Sequence, residues 1–449
     1  MKGAKFLHLS DGLSAEKLQV VLPPELKNIP GIVHGAAVRV CGEMVPSPGG
    51  MQSRELLASS IASCANTIQG PIMPKTKYSS AFLRRYAHLR AKTNSFAAML
   101  RIRSHFHFAI HRFFQDRQFV HITTPAITNN DCEGGGETFR VTSRLKPGGE
   151  GVEVLEAEEQ LTDTENALVE GEERKSLDPQ EFFGQPVSLT TSGQLHLEAM
   201  ANALKRVYCL GPAFRAEATI RRFHMAEFAM LEAEIAFCTS LQQLLQLTSD
   251  LIRHISRKLL ETCSKDLAIL DRFHHDGKMG HLEEFQAKLN DPIPVIRFEE
   301  AADLLNSSAK GQFRYKVEDD LKKEHEWALV EHFGGRPVFV THFPAAAKPF
   351  YAKRSPCGRW AESFDLLAPL VGEIASGSLR EDSYAVLKDR CQGHASAQGF
   401  DWYVELRQLG HAPTGGFGVG VERWLQTMLG VFNAKDTTPF PRSYHACQM

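Results

Sequence analysis

The stretch "GGFGVGVERW", Gly415 to Trp424, constrains this chain more than any other. On a strand, residues two apart face the same way, so Gly416, Gly418 and Gly420 leave one face without side chains. An interior strand stripped in this way is weak by itself and marks a place where a ligand or another backbone comes close. The following "VERWLQTMLGVF" changes to helical spacing, with Val421, Leu425, Met428 and Leu429 along one side. Arg423 therefore falls in the first helical turn beside the bare face, in position to meet an anion. A dinucleotide fingerprint is excluded. It needs G-x-G-x-x-G and a downstream acidic residue, whereas the spacing here is G-x-G-x-G. A glycine strand packed tightly under a helix, with Arg423 merely at the surface, is the plain alternative for this motif alone.

The 449 residues suggest about three domains, and the 43% hydrophobic and 23% charged content is that of an ordinary globular chain. No window approaches twenty apolar residues, so no membrane span or membrane partner is expected. With a net charge of −2, any nucleic-acid surface has to be local. The candidate is Lys75 to Arg103, "KTKYSSAFLRRYAHLRAKTNSFAAMLRIR", rich in Lys and Arg and nearly free of acids. It suits phosphate contacts, and a solvated helix face is the commoner explanation. The nine cysteines form no C-x-x-C pair, which points to a reducing compartment and away from a structural zinc site. His107 and His111 sit at i,i+4 without a third ligand and read as buried or interfacial. "FHHDGKMGH" reads as a polar loop with no role.

Residues 1–70 read as a small β domain, with strands in "KFLHLSDG", "LQVVL" and "AAVRVCGEMV". A basic hinge follows at 71–94, and a catalytic domain at 95–449. The latter opens with a long helix, "SFAAMLRIRSHFHFAIHRFFQDRQ", and the strand "FVHITTPAIT", ended by Pro125. Between Glu150 and Glu173 there are ten carboxylates and no basic residue, so 146–180 reads as a loosely held acidic insertion. Beyond it strands and amphipathic helices alternate. "RVYCLGPAFRAE" and "FAMLEAEIAF" are two long strands, and "FDLLAPLVGEIASGSLRED" is another pair.

The connection between the two long strands is "FRAEATIRRFHMAEF". One polyphosphate nucleotide would use all of it. Arg215 braces a phosphate bidentately, Glu217 accepts from an adenine amino group, and Phe228 stacks on the ring. His224 and the neighbouring arginines hold the outer phosphates. Taken singly, each residue also fits a charged hairpin turn.

"FRAE", with His224 and Phe228 at matching spacing, resembles motif 2 of the class II aminoacyl-tRNA synthetases. "GFGVGVERW" resembles their motif 3, and the long helix, the strand and Pro125 resemble motif 1. The resemblance spans nearly the whole chain. It implies an α+β fold in which an antiparallel sheet flanked by helices follows an OB-fold anticodon-binding barrel, here expected without its first strand. It also implies a homodimer through motif 1 with Pro125 at the interface, a glycine strand flooring the ATP site, and Arg423 gripping the triphosphate.

Within that family, "TTSGQLHLEAM" is similar to the asparaginyl branch. The lysine of aspartyl enzymes falls on Leu197, and Glu232 stands where they carry Asp. The resemblance implies asparagine as substrate, with the side-chain amide held by Glu232 and Arg380 and the ammonium by Glu133, Ser192 and Gln194. Mg²⁺ would accompany ATP on Glu373 and Ser376, with Asp365 helping. ATP, asparagine and tRNA(Asn) are the expected partners. Arg215 and Arg423 are the expected catalytic cations. The tail "TTPFPRSYHACQM" resembles organellar members, which implies the mitochondrial matrix, with the cytoplasm as alternative. In motif 2, Ala218 and Phe223 replace the usual Asn and Arg, and Arg222 is a candidate substitute one place earlier. An aspartyl enzyme and a catalytically silent tRNA-binding paralogue stand as alternatives.

Overall fold

β-branched and aromatic residues alternating with small ones decide where this chain extends, and the longest such runs form its central sheet. The computed structural model describes residues 5–26, 32–49, 52–64, 70–73, 76–130, 138–142, 181–275, 278, 280–308, 320–392 and 399–449. The expected ammonium ligand Glu133 and the acidic insertion 146–180 lie outside the described residues.

The N-terminal strands are β1 (Lys5–Leu9), β2 (Leu18–Leu22), β3 (Val38–Pro46) and β4 (Arg54–Ser63). They form a sheet in the order β1-β2-β4-β3, antiparallel except for the parallel β2–β4 pair. A parallel pair in an otherwise antiparallel set fits an OB-type Greek key. The sheet has four strands among the described residues, against the five of a complete barrel. Val20, Leu22, Ala58 and Ile61 form its core. The strand β4, "RELLASSIAS", has no clean alternation in sequence, because Ser59 is an extra residue between the buried Ala58 and Ile61. The Asp11–Glu16 loop meets the next domain: Arg101 Nη1 donates to the Gly12 carbonyl at 2.9 Å, and Lys265 pairs with Glu16.

The hinge folds as two short helices, Ser80–Arg85 and Ala87–Arg90. Its arginines do not form a solvated phosphate-binding stripe. Arg90 is buried and donates to the carbonyls of Lys435, Thr438 and Pro439, and Arg84 pairs with Asp436 at 2.7 Å. Further along, Arg101 pairs with Asp266 at 2.6 Å and Arg103 with Glu422 at 2.7 Å. Internal acids and carbonyls use these cations.

The helix Asn94–Gln115 buries Phe96, Met99, Ile102, Phe106, Ile110 and Phe113 along one stripe, and Thr93 caps its start. After it come β5 (Val120–His121), β6 (Ile127–Thr128), β7 (Arg140–Val141) and β8 (Val187–Leu189). "FVHITTPAIT" thus yields two short ladders flanking Pro125 rather than one strand, because Pro donates no ladder hydrogen bond. A small antiparallel sheet has the order β6-β8-β7.

The remaining strands are β9 (Arg206–Phe214), β10 (Glu227–Ala236), β11 (Val295–Arg297), β12 (Val338–Thr341), β13 (Ser363–Ala368), β14 (Gly372–Leu379) and β15 (Thr414–Gly420). With β5 they form an eight-stranded sheet, order β11-β12-β13-β14-β15-β10-β9-β5, parallel only at its two outer pairs. On one face, helices Asn94–Gln115, Leu241–Thr262, Ser264–His274 and Val421–Leu429 close the main core over Leu231, Ala233, Phe417 and Val419. The opposite face carries the intervening residues Phe228, Met230, Glu232 and Glu234 on β10 and the three glycines on β15. Among the described residues, no helix is long and apolar enough to cross a membrane.

Candidate active site

The glycine-bearing face floors a cleft of about 330 Å³, within the range of small-molecule sites. Gly418 and Gly420 are part of its lining. Glycine at 416 serves a neighbour instead. It lies opposite Glu234, and a methyl group there would overlap the Glu234 carboxylate. The bare face thus has two uses, an open floor at Gly418 and Gly420 and room for a buried carboxylate at Gly416.

Ten of the residues singled out in the sequence line this one cleft: Ser192, Gln194, Arg215, Glu217, His224, Phe228, Glu373, Ser376, Arg380 and Arg423. They come from separated parts of the chain. Arg215 and Glu217 follow β9, whose extended path continues through the Arg215 N–H to Ala226 carbonyl bond at 3.0 Å. The Arg215 guanidinium lies 5.3 Å from the Phe228 ring centroid. Glu217 and His224 are hydrogen-bonded to each other across the connection, and that bond holds the Glu217 carboxyl below its ordinary pKa. Arg423 stands in the first turn of the helix Val421–Leu429, 3.7 Å from a Glu373 carboxylate oxygen.

Glu373 and Ser376 are three apart, which on a regular strand would point them to opposite faces. A register shift solves this. Leu366 pairs with Ala375 but Leu367 with Glu373, so Ile374 is an extra residue on β14. The bulge turns Glu373 to the cleft side, and both residues line the cavity. Burial alone would raise the Glu373 pKa, but Arg423, Lys323, Lys348 and Arg215 outweigh it and the net shift is downward. Asp365, opposite Ser376, differs. Both its oxygens accept from Lys348 Nζ, at 2.8 and 2.7 Å, and burial prevails to raise its pKa. It stands behind the lining, held by Lys348. Glu373, ionised and facing the cleft, fits the usual way of holding Mg²⁺, by one or two carboxylates plus substrate phosphates. Among the described residues no group of three His, Cys, Asp or Glu side chains could hold a metal by itself.

The other end of the cleft is built on buried ion pairs. Arg380 donates to both oxygens of Glu234, Nε at 2.9 Å and Nη2 at 2.8 Å, and Nη1 donates to Ser378 Oγ at 2.6 Å. Burial disfavours the Arg380 charge, but Glu234 more than offsets it, and the guanidinium pKa is raised. With the Gln194 amide turned so that both its ends are satisfied, its oxygen accepts from Arg380 Nη2 at 2.8 Å. A side-chain amide of this protein thus already sits on the guanidinium expected to take one from a ligand. Glu232 is buried behind this wall. Its carboxylate accepts from the Ser192 hydroxyl and, at 2.9 Å, from the Gly193 N–H at the start of the helix Gln194–Leu204. A negative charge there favours the helix end and fixes Ser192 and Gln194, and the Glu232 carboxylate is not among the cleft-lining groups. Beneath lies a second buried pair, Glu198 with Arg407 at 2.7 Å, which Thr414 and Tyr403 complete.

Two departures in motif 2 have a structural outcome. Phe223 is buried and lines the cleft, whereas Arg222 turns outward, its guanidinium 3.9 Å from the Phe432 ring centroid. Arg222 is not among the lining residues, so it does not replace the missing cation inside. Lys348, Tyr351, Ser378 and Glu422 line the cleft and were not singled out in the sequence. Of these, Glu422 carried a signal, as the partner of Arg423 in "VERW". Its carboxylate accepts from Ala229 N–H at 3.0 Å and from Arg103 at 2.7 Å, tying three elements together. Pro125 is exposed, away from the cleft.

The family described as tRNA synthetases class II (D, K and N) matches residues 79–444. An asparaginyl-tRNA synthetase of Mus musculus is 39% identical over 99% of this chain and 88% of its own length. An asparagine–tRNA ligase of Nitratidesulfovibrio vulgaris is 37% identical over 98% of this chain and 92% of its own. The crystal structure of the Pyrococcus horikoshii asparaginyl-tRNA synthetase complexed with asparaginyl-adenylate superposes with a TM-score of 0.80 at 26% identity, covering 99% of this chain and 92% of that one.

Proposed function

This chain belongs to the class II tRNA synthetases of the D, K and N type, and from that premise we infer that it is an asparagine–tRNA ligase. It activates asparagine with ATP to asparaginyl-adenylate and transfers the acyl group to tRNA(Asn). The observation that carries this reading is the single cleft with two chemically distinct ends. Arg215, Arg423 and Glu373 gather at one, and Ser192, Gln194 and the Arg380–Glu234 pair at the other.

In the first step the asparagine carboxylate attacks the α-phosphorus, the bond to the bridging oxygen breaks, and pyrophosphate leaves. Arg215 offsets charge growing on the α-phosphate, and Arg423 holds the outer phosphates. Glu373 and Ser376 would hold the Mg²⁺ that accompanies ATP, which when bound would supply neutralisation of phosphate charge. No covalent enzyme intermediate is needed, so the chain contributes positioning and electrostatic stabilisation. In the second step the ribose hydroxyl of the terminal tRNA adenosine takes the acyl group and AMP leaves. Phe228 stacks on adenine and the Glu217–His224 pair borders it. Arg380 donates to the asparagine side-chain oxygen, and Glu232 acts through Ser192. Glu133 is assigned to the ammonium on resemblance.

The small N-terminal sheet is assigned to the anticodon. A homodimer through the motif 1 helix, with Pro125 at the contact, is supported by Phe108, 72% exposed on that helix. The mitochondrial matrix is proposed on the resemblance of the tail, with cell fractionation as its test.

ATP–pyrophosphate exchange, compared with asparagine, aspartate and no amino acid, tests the activity. Exchange with asparagine alone is expected. Exchange with aspartate instead would move the chain to the aspartyl branch. A folded protein that binds ATP yet exchanges with neither would be a silent tRNA-binding relative.

A further inference from the structure

We propose that Phe432, Arg222 and Trp327 form a platform outside the cleft on which the unpaired 3′ end of the tRNA stacks before its terminal ribose enters. This rests on the ligase reading above and adds where the second substrate lies.

The platform is aromatic and cationic. The Arg222 guanidinium lies 3.9 Å from the centroid of Phe432, 4.5 Å from Phe223 and 5.9 Å from Trp327. Ring faces hold it, and no carboxylate pairs with it among the described residues. An arginine stays charged at any physiological pH, so its charge is available to an incoming phosphate. Phe432 is 62% and Trp327 37% exposed, and Arg221, next to Arg222 in the chain, is exposed too.

It is also preformed and continuous with the cleft. The Ala434 N–H donates to the Arg222 carbonyl at 3.0 Å, fastening the motif 2 connection to the segment that carries Phe432. Phe223 meets Trp327 edge to face at 6.1 Å between centroids, lies 4.5 Å from the Arg222 guanidinium, and lines the cleft. The buried Phe223 ring is thus shared between the platform and the cleft.

The occupant follows from chemistry. Unstacked bases joined by phosphates are bound by aromatic faces with interleaved cations. The reaction brings one such strand, the acceptor end, to this cleft and requires its last ribose inside. A platform that shares Phe223 with the cleft suits the nucleotides preceding that ribose.

The experiment uses the full chain with Phe432→Ala, Phe432→Trp and Trp327→Ala. It measures pyrophosphate exchange without tRNA, and binding of intact tRNA(Asn) against the same tRNA shortened by its single-stranded 3′ nucleotides. Stacking on one ring is worth a factor of about 5 to 150. Both alanine variants should therefore bind intact tRNA several-fold or more weakly and keep wild-type exchange. Phe432→Trp should restore binding, and shortened tRNA should not distinguish the variants from wild type. Equal loss with intact and shortened tRNA, unchanged binding of both, or a fall in exchange itself would each overturn the platform. Absence of asparagine exchange in the wild-type protein would instead remove the reading on which it rests.

Discussion

At Gly416 a single methyl group has a foreseeable cost. It would overlap the Glu234 carboxylate, whose ion pair with Arg380 is fully buried, and breaking such a pair costs about 3–5 kcal/mol. Gly416→Ala should lower kcat/KM for asparagine by roughly 10²-fold or more, measured by exchange. Gly418→Ala meets the Met230 terminal methyl at 3.0 Å, a flexible end, and Glu232 Cγ at an ordinary contact distance of 3.7 Å, so it should fold normally and chiefly raise the KM for ATP. Equal effects from the two variants would contradict the division of labour between these glycines. His107 supplies a second residue-scale test. Burial first, then Arg103 and His111, lower its pKa to about 4, whereas an unfolded histidine titrates near about 6.5. The unfolded state therefore binds more protons within that window. Stability is full above pH ~6.5 and is lost as pH falls towards ~4. Urea midpoints between pH 7.5 and 4.5 should show this slope, and His107→Gln should reduce it by up to one proton.

Among the elements, those with strong periodicity were legible and those fixed by distant partners were not. The Gly416–Gly418–Gly420 strand and the Val421–Leu429 helix follow from alternation that changes to a 3.6 period at one residue. Ten site residues converge because motif chemistry restricts them. The bulge at Ile374, by contrast, has no local signature, since it exists only in the register with β13. Lys348, a lone cation in a Pro-Ala run, became meaningful only beside Asp365. "FHHDGKMGH" also gained a structural use. His275 and His281 stack at 4.6 Å, and their Nε2 atoms face the Leu429 and Thr427 carbonyls at the end of the motif 3 helix. The hinge was misread for the same reason, its arginines having partners some 345 residues away. Arg90→Met leaves three carbonyls and part of Asp436 without a donor. It should cost roughly 3 kcal/mol in urea unfolding. Arg84→Met, at a partly exposed site, should cost about 1 kcal/mol or less.

For the whole molecule, the proposed dimer gives the clearest expectation. The motif 1 helix presents Phe108 to solvent, and Val120 is also exposed on β5, the last strand of the large sheet among the described residues. Sedimentation velocity should give a dimer for the wild-type protein and mostly monomer for Phe108→Glu. Two monomers of equal behaviour would place the interface elsewhere or nowhere.

The clasp between the hinge and the 435–439 segment also bears on how the chain is made. Arg90 leaves the ribosome about 345 residues before its first carbonyl partner. At roughly 5–20 residues per second, that is a wait of about 17 to 70 seconds. During this interval the N-terminal sheet can already be folded, while the two short helices that follow it lack the fastening that later buries Arg90. A nascent chain halted before residue 435 would lack this fastening and would join its N-terminal sheet to the following domain only through such contacts as Arg101 with Gly12 and Lys265 with Glu16. Vectorial synthesis thus makes the clasp one of the last long-range contacts this chain can form.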